Sequence, residues 1–200
     1  MAYIRKAAQE DQPFFTYVAY NAPHYPMHAP KKYTDRFEHL PWDRKIMAAM
    51  LSAVDDGVGD IRAELERQGI LDNTCIFFQS DNGPSRESRN WMDGSEDPYY
   101  GGSAGKLKGH KYSLFEGGIR VPGILSWPER IPGDQVLHEP GIAMDIFPTF
   151  IKAAGGDISG YELDGIDILP ELSSRDPLPE RELYWEMEGQ TAVRRGKWKL

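Results

Sequence analysis

Thr74-Cys75-Ile76-Phe77-Phe78-Gln79 runs without a break into Ser80-Asp81-Asn82-Gly83-Pro84. A run dominated by β-branched and aromatic side chains and closed by a Gly-Pro turn predicts a buried strand with hard oxygen donors at its carboxyl end. Upstream, between Asp43 and Gln68, the residues Met47, Met50, Leu51, Val54, Val58, Ile61 and Leu65 recur at three- and four-residue steps. That spacing predicts one amphipathic helix, with Gly69 as its C-terminal stop. Earlier still, Phe14–Ala19 reads as a second buried strand, preceded by Pro13 and halted at Asn21-Ala22-Pro23, with His24 just past its end. Strand, helix, strand in that order favours a parallel pair in an α/β sheet. Open sheets of this kind gather their sites at the carboxyl edge, where Asp81, Asn82 and His24 fall.

Downstream, Ile119–Trp127 predicts a further strand, short or interrupted because Pro122 donates no ladder hydrogen bond. Asp145–Ala154 predicts a helix, with Asp145 near the N-cap, Pro148 in the first turn and Gly155-Gly156 closing it. The tail from Glu182 alternates as two antiparallel strands, and the chain stops within the second. With 200 residues, 40% apolar and 12% aromatic, the chain is large enough for one core. Its 15 prolines and 20 glycines concentrate between Gly83 and Gly123 and between Gly155 and Pro179, which predicts long irregular connections of the kind that carry sites. A net charge of −8 with no basic stripe argues against a nucleic-acid surface. Cys75 is the single cysteine, which leaves no internal disulfide and no cysteine-based zinc site, and makes Cys75 a small core residue. No apolar stretch follows Met1–Lys6 and none is long enough to span a bilayer, so neither a signal peptide nor a membrane anchor is expected.

The chemistry lies in four places. A carboxylate beside an amide oxygen, as in Asp81-Asn82, suits calcium or magnesium better than zinc, although Asp-Asn-Gly is also a common turn. About thirty residues on, Lys111-Tyr112-Ser113-Leu114-Phe115-Glu116-Gly117-Gly118-Ile119-Arg120-Val121-Pro122 sets one cation on a glycine-rich turn. Lys111 offers a point charge to an anion's oxygen, or is one more solvated lysine beside Lys106 and Lys108. Glu116 and Arg120 are predicted to pair and to brace the double glycine. His24, in Asn21-Ala22-Pro23-His24-Tyr25-Pro26, is a group that titrates near neutral pH and suits proton donation, set against the plain alternative of a surface histidine. His28 and His110 are secondary candidates. Trp91, Tyr99 and Tyr100 are placed either to stack on a sugar ring or to pack locally.

Together these segments resemble the type I sulfatases, the formylglycine-dependent branch of the alkaline-phosphatase-like superfamily, from about Phe14 to the C-terminus. The resemblance implies an α/β fold: a partial alkaline-phosphatase-like sandwich with a mostly parallel central sheet over residues 1–180, followed by the start of a small antiparallel subdomain at 181–200. It implies Asp81 and Asn82 as metal ligands for Ca2+ or Mg2+, with Lys111 contacting the sulfate and His24 assisting the leaving oxygen. His110, Trp91, Tyr99 and Tyr100 are the implied substrate contacts. The family nucleophile is a Cys/Ser-x-Pro/Ala-x-Arg residue converted to formylglycine, and no such motif is expected in this chain. The tandem aspartates that complete the metal site have no counterpart either, since Asp55-Asp56 falls within the predicted helix.

The expectation is therefore a middle-to-C-terminal piece of an enzyme hydrolysing carbohydrate or aryl sulfate monoesters, with little turnover by itself. Its partner would be a sulfated small molecule or glycan, with no nucleic acid and no membrane. A phosphoester or phosphonate hydrolase of the same superfamily and a non-catalytic anion- or glycan-binding module are the alternatives. Metal binding by the chain alone is expected to be weak, with Asp93, Glu96 and Asp97 as further ligand candidates. The uncovered strands at 14–19 and 74–78 predict self-association or aggregation. Members of the family are often periplasmic, extracellular or lysosomal.

Overall fold

The computed structural model describes residues 1–10, 12–86 and 101–200. In chain order the elements are α1 (Ala2–Ala7), α2 (Lys31–Thr34), α3 (Trp42–Arg67), β1 (Ile76–Gln79), α4 (Glu116–Ile119), β2 (Gly123–Ser126), α5 (Ile146–Ala153), α6 (Leu169–Ser174), β3 (Glu182–Met187), β4 (Gln190–Arg195) and β5 (Trp198–Lys199). Single 3-10 turns, Asp35–Phe37 and Ala143–Asp145, lead into α3 and α5.

The 26-residue α3 is the long element its spacing predicted, and it ends as a glycine allows. Gly69 takes φ +69°, its N–H donates to the Glu66 carbonyl, and the Ile70 N–H reaches back to Leu65, the paired bonds of a Schellman stop. Its inner face, Ile46, Ala49, Met50, Val54 and Leu65, is buried. Ile46 and Met50 enclose Met27, 3% exposed, with Ala22, Ala29, Trp42 and Met47 around them. Each such side chain contributes about 1.5–3 kcal/mol by leaving water. The consequence for function is local: Met27 anchors the loop that carries His24. Leu51, predicted for the buried stripe, is exposed and lines an open groove instead.

Two antiparallel sheets form among the described residues, and the expected parallel pair does not. β1 pairs with β2, Ile76 opposite Ser126 and Gln79 opposite Gly123. The α4 turn reverses the chain ahead of β2, and Pro122, without an N–H, delays the ladder to Gly123. Residues 14–19 belong to no strand; Phe15 is 68% and Tyr17 82% exposed. β1 is correspondingly half-buried rather than buried, because β2 covers only one of its edges. The tail differs too. What reads as one strand from Ala192 to Leu200 is the hairpin β4–β5, turning at Gly196-Lys197 with Gly196 at φ +54°, so that β3, β4 and β5 make a three-stranded sheet.

α1 is attached through Glu64, whose side chain is 1% exposed on α3. Arg5 donates from Nε and Nη2 to the two carboxylate oxygens at 3.0 Å each, and Arg67 and Gln68 add further bonds. Hydrogen bonds from Arg5 and Arg67 hold the carboxyl at about 2, well below its ordinary 4.5. A carboxyl depressed on folding stabilises fully above its unfolded pKa and loses that contribution as pH falls through the folded one. We therefore expect α1 to detach as pH drops from about 4.5 towards 2, with Glu64→Gln detached already at neutral pH. Amide exchange of Arg5 and Ala8, whose N–H groups donate to Met1 and Ile4, measures this; protection unchanged at pH 2 would refute it.

Candidate active site

β1 delivers the chain into Ser80–Pro84. Asp81 is exposed, and one of its carboxylate oxygens accepts the N–H of the next residue, Asn82, at 2.9 Å. The Asn82 amide nitrogen donates to the Gly83 carbonyl at 2.9 Å, which turns its side-chain oxygen the other way. Thirty residues later the glycine-rich segment crosses this loop and is stitched to it by main-chain bonds. Gly83 N–H donates to Gly118 O at 2.8 Å and Lys111 N–H to Pro84 O at 2.9 Å, while Gly117 N–H closes the segment on Lys108 O at 2.7 Å. The crossing is close enough to require glycine: a Cβ on Gly83 would overlap the Gly117 carbonyl, and one on Gly118 the Ser113 carbonyl.

His24 arrives from the Met27 loop. Its Nδ1 donates to the Tyr25 carbonyl at 2.8 Å, which leaves Nε2 as the acceptor in the neutral ring. The Lys111 ammonium lies 3.2 Å from that Nε2, joining residues 87 apart in sequence. His24, Asp81 and Asn82 line one groove of about 2420 Å³ that runs on past Phe15, Tyr17 and Phe77. The structure thus brings the Lys111 ammonium against the His24 imidazole and ties the Lys111 main chain to the Asp81 loop through Pro84. Such a constellation can grip a tetrahedral anion and pass a proton to an oxygen leaving it.

His110 is half-buried and turned to the main chain, its Nδ1 donating to the Lys111 carbonyl at 2.6 Å. His28 is exposed. Trp91, Tyr99 and Tyr100, and with them Asp93, Glu96 and Asp97, lie outside the described residues. Asp55 and Asp56 sit on α3, where Asp56 pairs with Arg36 at 3.2 Å. Burial pushes the thiol of the half-buried Cys75 up to about 11, which makes it unreactive. Arg120 does meet Glu116, at 3.6 Å, but Lys199 at 3.0 Å and Arg194 at 3.5 Å meet it more closely.

A family model described as Sulfatase matches residues 1–156. The chain belongs to the sulfatase family. Arylsulfatase A of Homo sapiens is 33% identical over 202 residues, 96% of this chain and 36% of that protein. N-acetylgalactosamine-6-sulfatase of Rattus norvegicus is 34% identical over 198 residues, 98% of this chain and 35% of that protein. The crystal structure of Ps i-CgsB in complex with k-i-k-neocarrahexaose matches with a TM-score of 0.83 at 33% identity, over 99% of this chain and 43% of that one. These matches imply an alkaline-phosphatase-like α/β fold. The chain spans little more than a third of the curated sulfatases it matches.

The expectation that the chain holds no Cys/Ser-x-Pro/Ala-x-Arg motif does not stand. Ser126-Trp127-Pro128-Glu129-Arg130 satisfies the Ser-x-Pro-x-Arg spacing. Its geometry is that of a turn: Ser126 pairs with Ile76, at the opposite end of β1 from Asp81, Trp127 is buried, and the Arg130 guanidinium stacks on the Trp127 ring at 4.4 Å. As a cation site the donors suit calcium or magnesium in kind but fall short in number. Among the described residues no group of three or more His, Cys, Asp or Glu converges, whereas calcium takes six to eight oxygens.

Proposed function

We propose that this chain forms the sulfate-gripping part of a sulfate-monoester hydrolase. The carrying observation is the 3.2 Å contact between Lys111 Nζ and His24 Nε2, with His24, Asp81 and Asn82 lining the same groove. In this reading the Lys111 ammonium swings from His24 onto a non-bridging sulfate oxygen, neutralising charge that grows as the ester bond breaks. His24, its Nδ1–H held by Tyr25, carries its second proton on Nε2 and passes it to the bridging oxygen, so that the alcohol departs neutral. Asp81 and Asn82 would hold a Ca2+ or Mg2+ ion there, which would supply positive charge to the sulfate oxygens. The attacking nucleophile comes from outside this chain, so the chain alone turns over little.

The substrate class we favour is a sulfated glycan. Support comes from a relative named for N-acetylgalactosamine-6-sulfate and from a structural neighbour bound to neocarrahexaose. An open groove, rather than a closed pocket, accommodates such chains. The test is turnover of 4-nitrophenyl sulfate against 4-nitrophenyl phosphate by the full-length protein. Sulfate hydrolysis in excess is expected. Preference for phosphate would move the assignment to a phosphoester hydrolase, and binding of sulfated glycan without turnover to a binding module.

A further inference from the structure

Lys111 is held by a residue that no local pattern singles out. Tyr112, next in sequence, takes φ +70°, a left-handed conformation that a bulky side chain adopts only when its surroundings impose it. Its ring is exposed, with the Lys111 ammonium 5.1 Å from its centre. The main chain around it is gripped. Gln190, the first residue of β4, donates from Nε2 to the Tyr112 carbonyl at 3.1 Å and accepts the Leu114 N–H on Oε1 at 3.3 Å. One carboxamide thus satisfies both main-chain groups flanking Ser113, as a neighbouring strand would. Lys199 of β5 adds a bond from Nζ to the Leu114 carbonyl at 2.5 Å and another to Glu116 at 3.0 Å. On the other side, Lys111 N–H is held by Pro84 and its carbonyl by His110.

Gln190 itself is aimed by the β3–β4 turn, where Glu188 and Gly189 take φ +49° and +78° and bring Gln190 opposite Met187. We infer that Gln190 is a positioning residue: by clamping Tyr112 and Leu114 it keeps the Lys111 turn left-handed and so fixes the ammonium on His24. The antiparallel tail is then part of the anion-binding apparatus rather than an appendage. This inference rests on the reading of Lys111 and His24 as the sulfate grip, but its test separates the two.

The test uses the chain as it is, with nitrogen-15 spectra of the His24 ring and inorganic sulfate as the probe. Lys111→Ala gives the reference shift of a His24 Nε2 that has lost its ammonium donor. Gln190→Ala is expected to move His24 Nε2 to that reference value, to leave the melting temperature near wild type, and to raise the sulfate dissociation constant roughly 10- to 100-fold, the effect of misplacing one group by about an ångström. Gln190→Glu keeps the acceptor for Leu114 but removes the donor to Tyr112, and is expected to do the same. An unchanged His24 signal in Gln190→Ala overturns the inference, as does a wild-type His24 indifferent to Lys111→Ala. Unfolding of both Gln190 variants overturns it too, because Gln190 would then hold the fold rather than the turn. A His24 signal that responds as expected in a chain that ignores sulfate leaves the clamp standing and sinks the sulfate reading instead.

Discussion

Lys111→Ala in the full-length protein is expected to lower kcat for an aryl sulfate by about 10²–10³-fold, the cost of removing one donor from a preorganised oxyanion site. The loss should fall on kcat more than on KM, because the charge Lys111 answers grows towards the transition state. His24→Ala is expected to cost about 10²–10⁴-fold, the usual worth of a placed general acid. Its penalty should depend on the alcohol. With 4-nitrophenolate, which departs without a proton, the loss should shrink markedly; with a sugar alcohol it should be full. The two changes should not add, since the side chains touch at 3.2 Å and each places the other. A His24→Ala penalty equal for both leaving groups would remove the proton-donor role, and a Lys111→Ala change of less than about threefold would remove the anion grip from Lys111.

How much of this was legible in the sequence depends on the range over which each feature is decided. α3 was readable because its apolar residues repeat with the helical period and Gly69 supplies the left-handed stop; both signals are local. β1 was readable as an element, yet its partner was not. Pairing turns on the reversal at Gly117-Gly118 and the ladder start after Pro122, which bring β2 back antiparallel, whereas order along the chain pointed to residues 14–19. Those residues do carry a strand's composition; what they lack among the described residues is a neighbour to pair with. In the tail, Gly196-Lys197 sits inside an otherwise regular alternation and was read through, although the φ of +54° at Gly196 makes it a hairpin corner.

The site divides in the same way. His24, Asp81, Asn82 and Lys111 stand out by type and by their immediate neighbours. Gln190, Arg194 and Lys199 do not, because their contacts with the 112–116 segment span 76 to 85 residues and leave no spacing to read. The nearest signal was the alternation Gln190-Thr-Ala-Val-Arg-Arg195, which marks a strand and says nothing of what its side chains hold. Ser126 to Arg130 shows the converse. Its spacing fits a chemical motif, and only its place at the far end of β1 reveals a structural turn.

Asp145→Ala is expected to cost about 3–5 kcal/mol, the penalty for stripping the partner from a buried charge. Asp145 is 1% exposed, and both its carboxylate oxygens take hydrogen bonds from Arg181, at 2.6 Å each. The same oxygens accept the N–H groups of Ile142 and Ile166, at 2.9 and 3.0 Å. Burial works against ionisation here, but Arg181 and the two amides outweigh it and hold the carboxyl below its usual range. Alanine would therefore leave the Arg181 guanidinium with its Pro140 bond alone and strand two main-chain donors. Replacing Arg181 as well, by methionine, should recover only part of the loss, since the two amides stay unsatisfied. Against a total stability of about 5–15 kcal/mol the single change should shift the urea midpoint far down. A loss below about 1 kcal/mol would show that water reaches the pair and that its enclosure has been misjudged. The position of the pair explains why it matters beyond stability. Asp145 precedes α5, whose Phe150 meets Phe15 and Phe77 edge-on at 5.9 and 6.5 Å, and Arg181 immediately precedes β3. The pair therefore joins the layer that carries β1 and Asp81 to the sheet whose Gln190 and Lys199 hold the Lys111 turn, so loosening it should weaken sulfate binding before the chain unfolds.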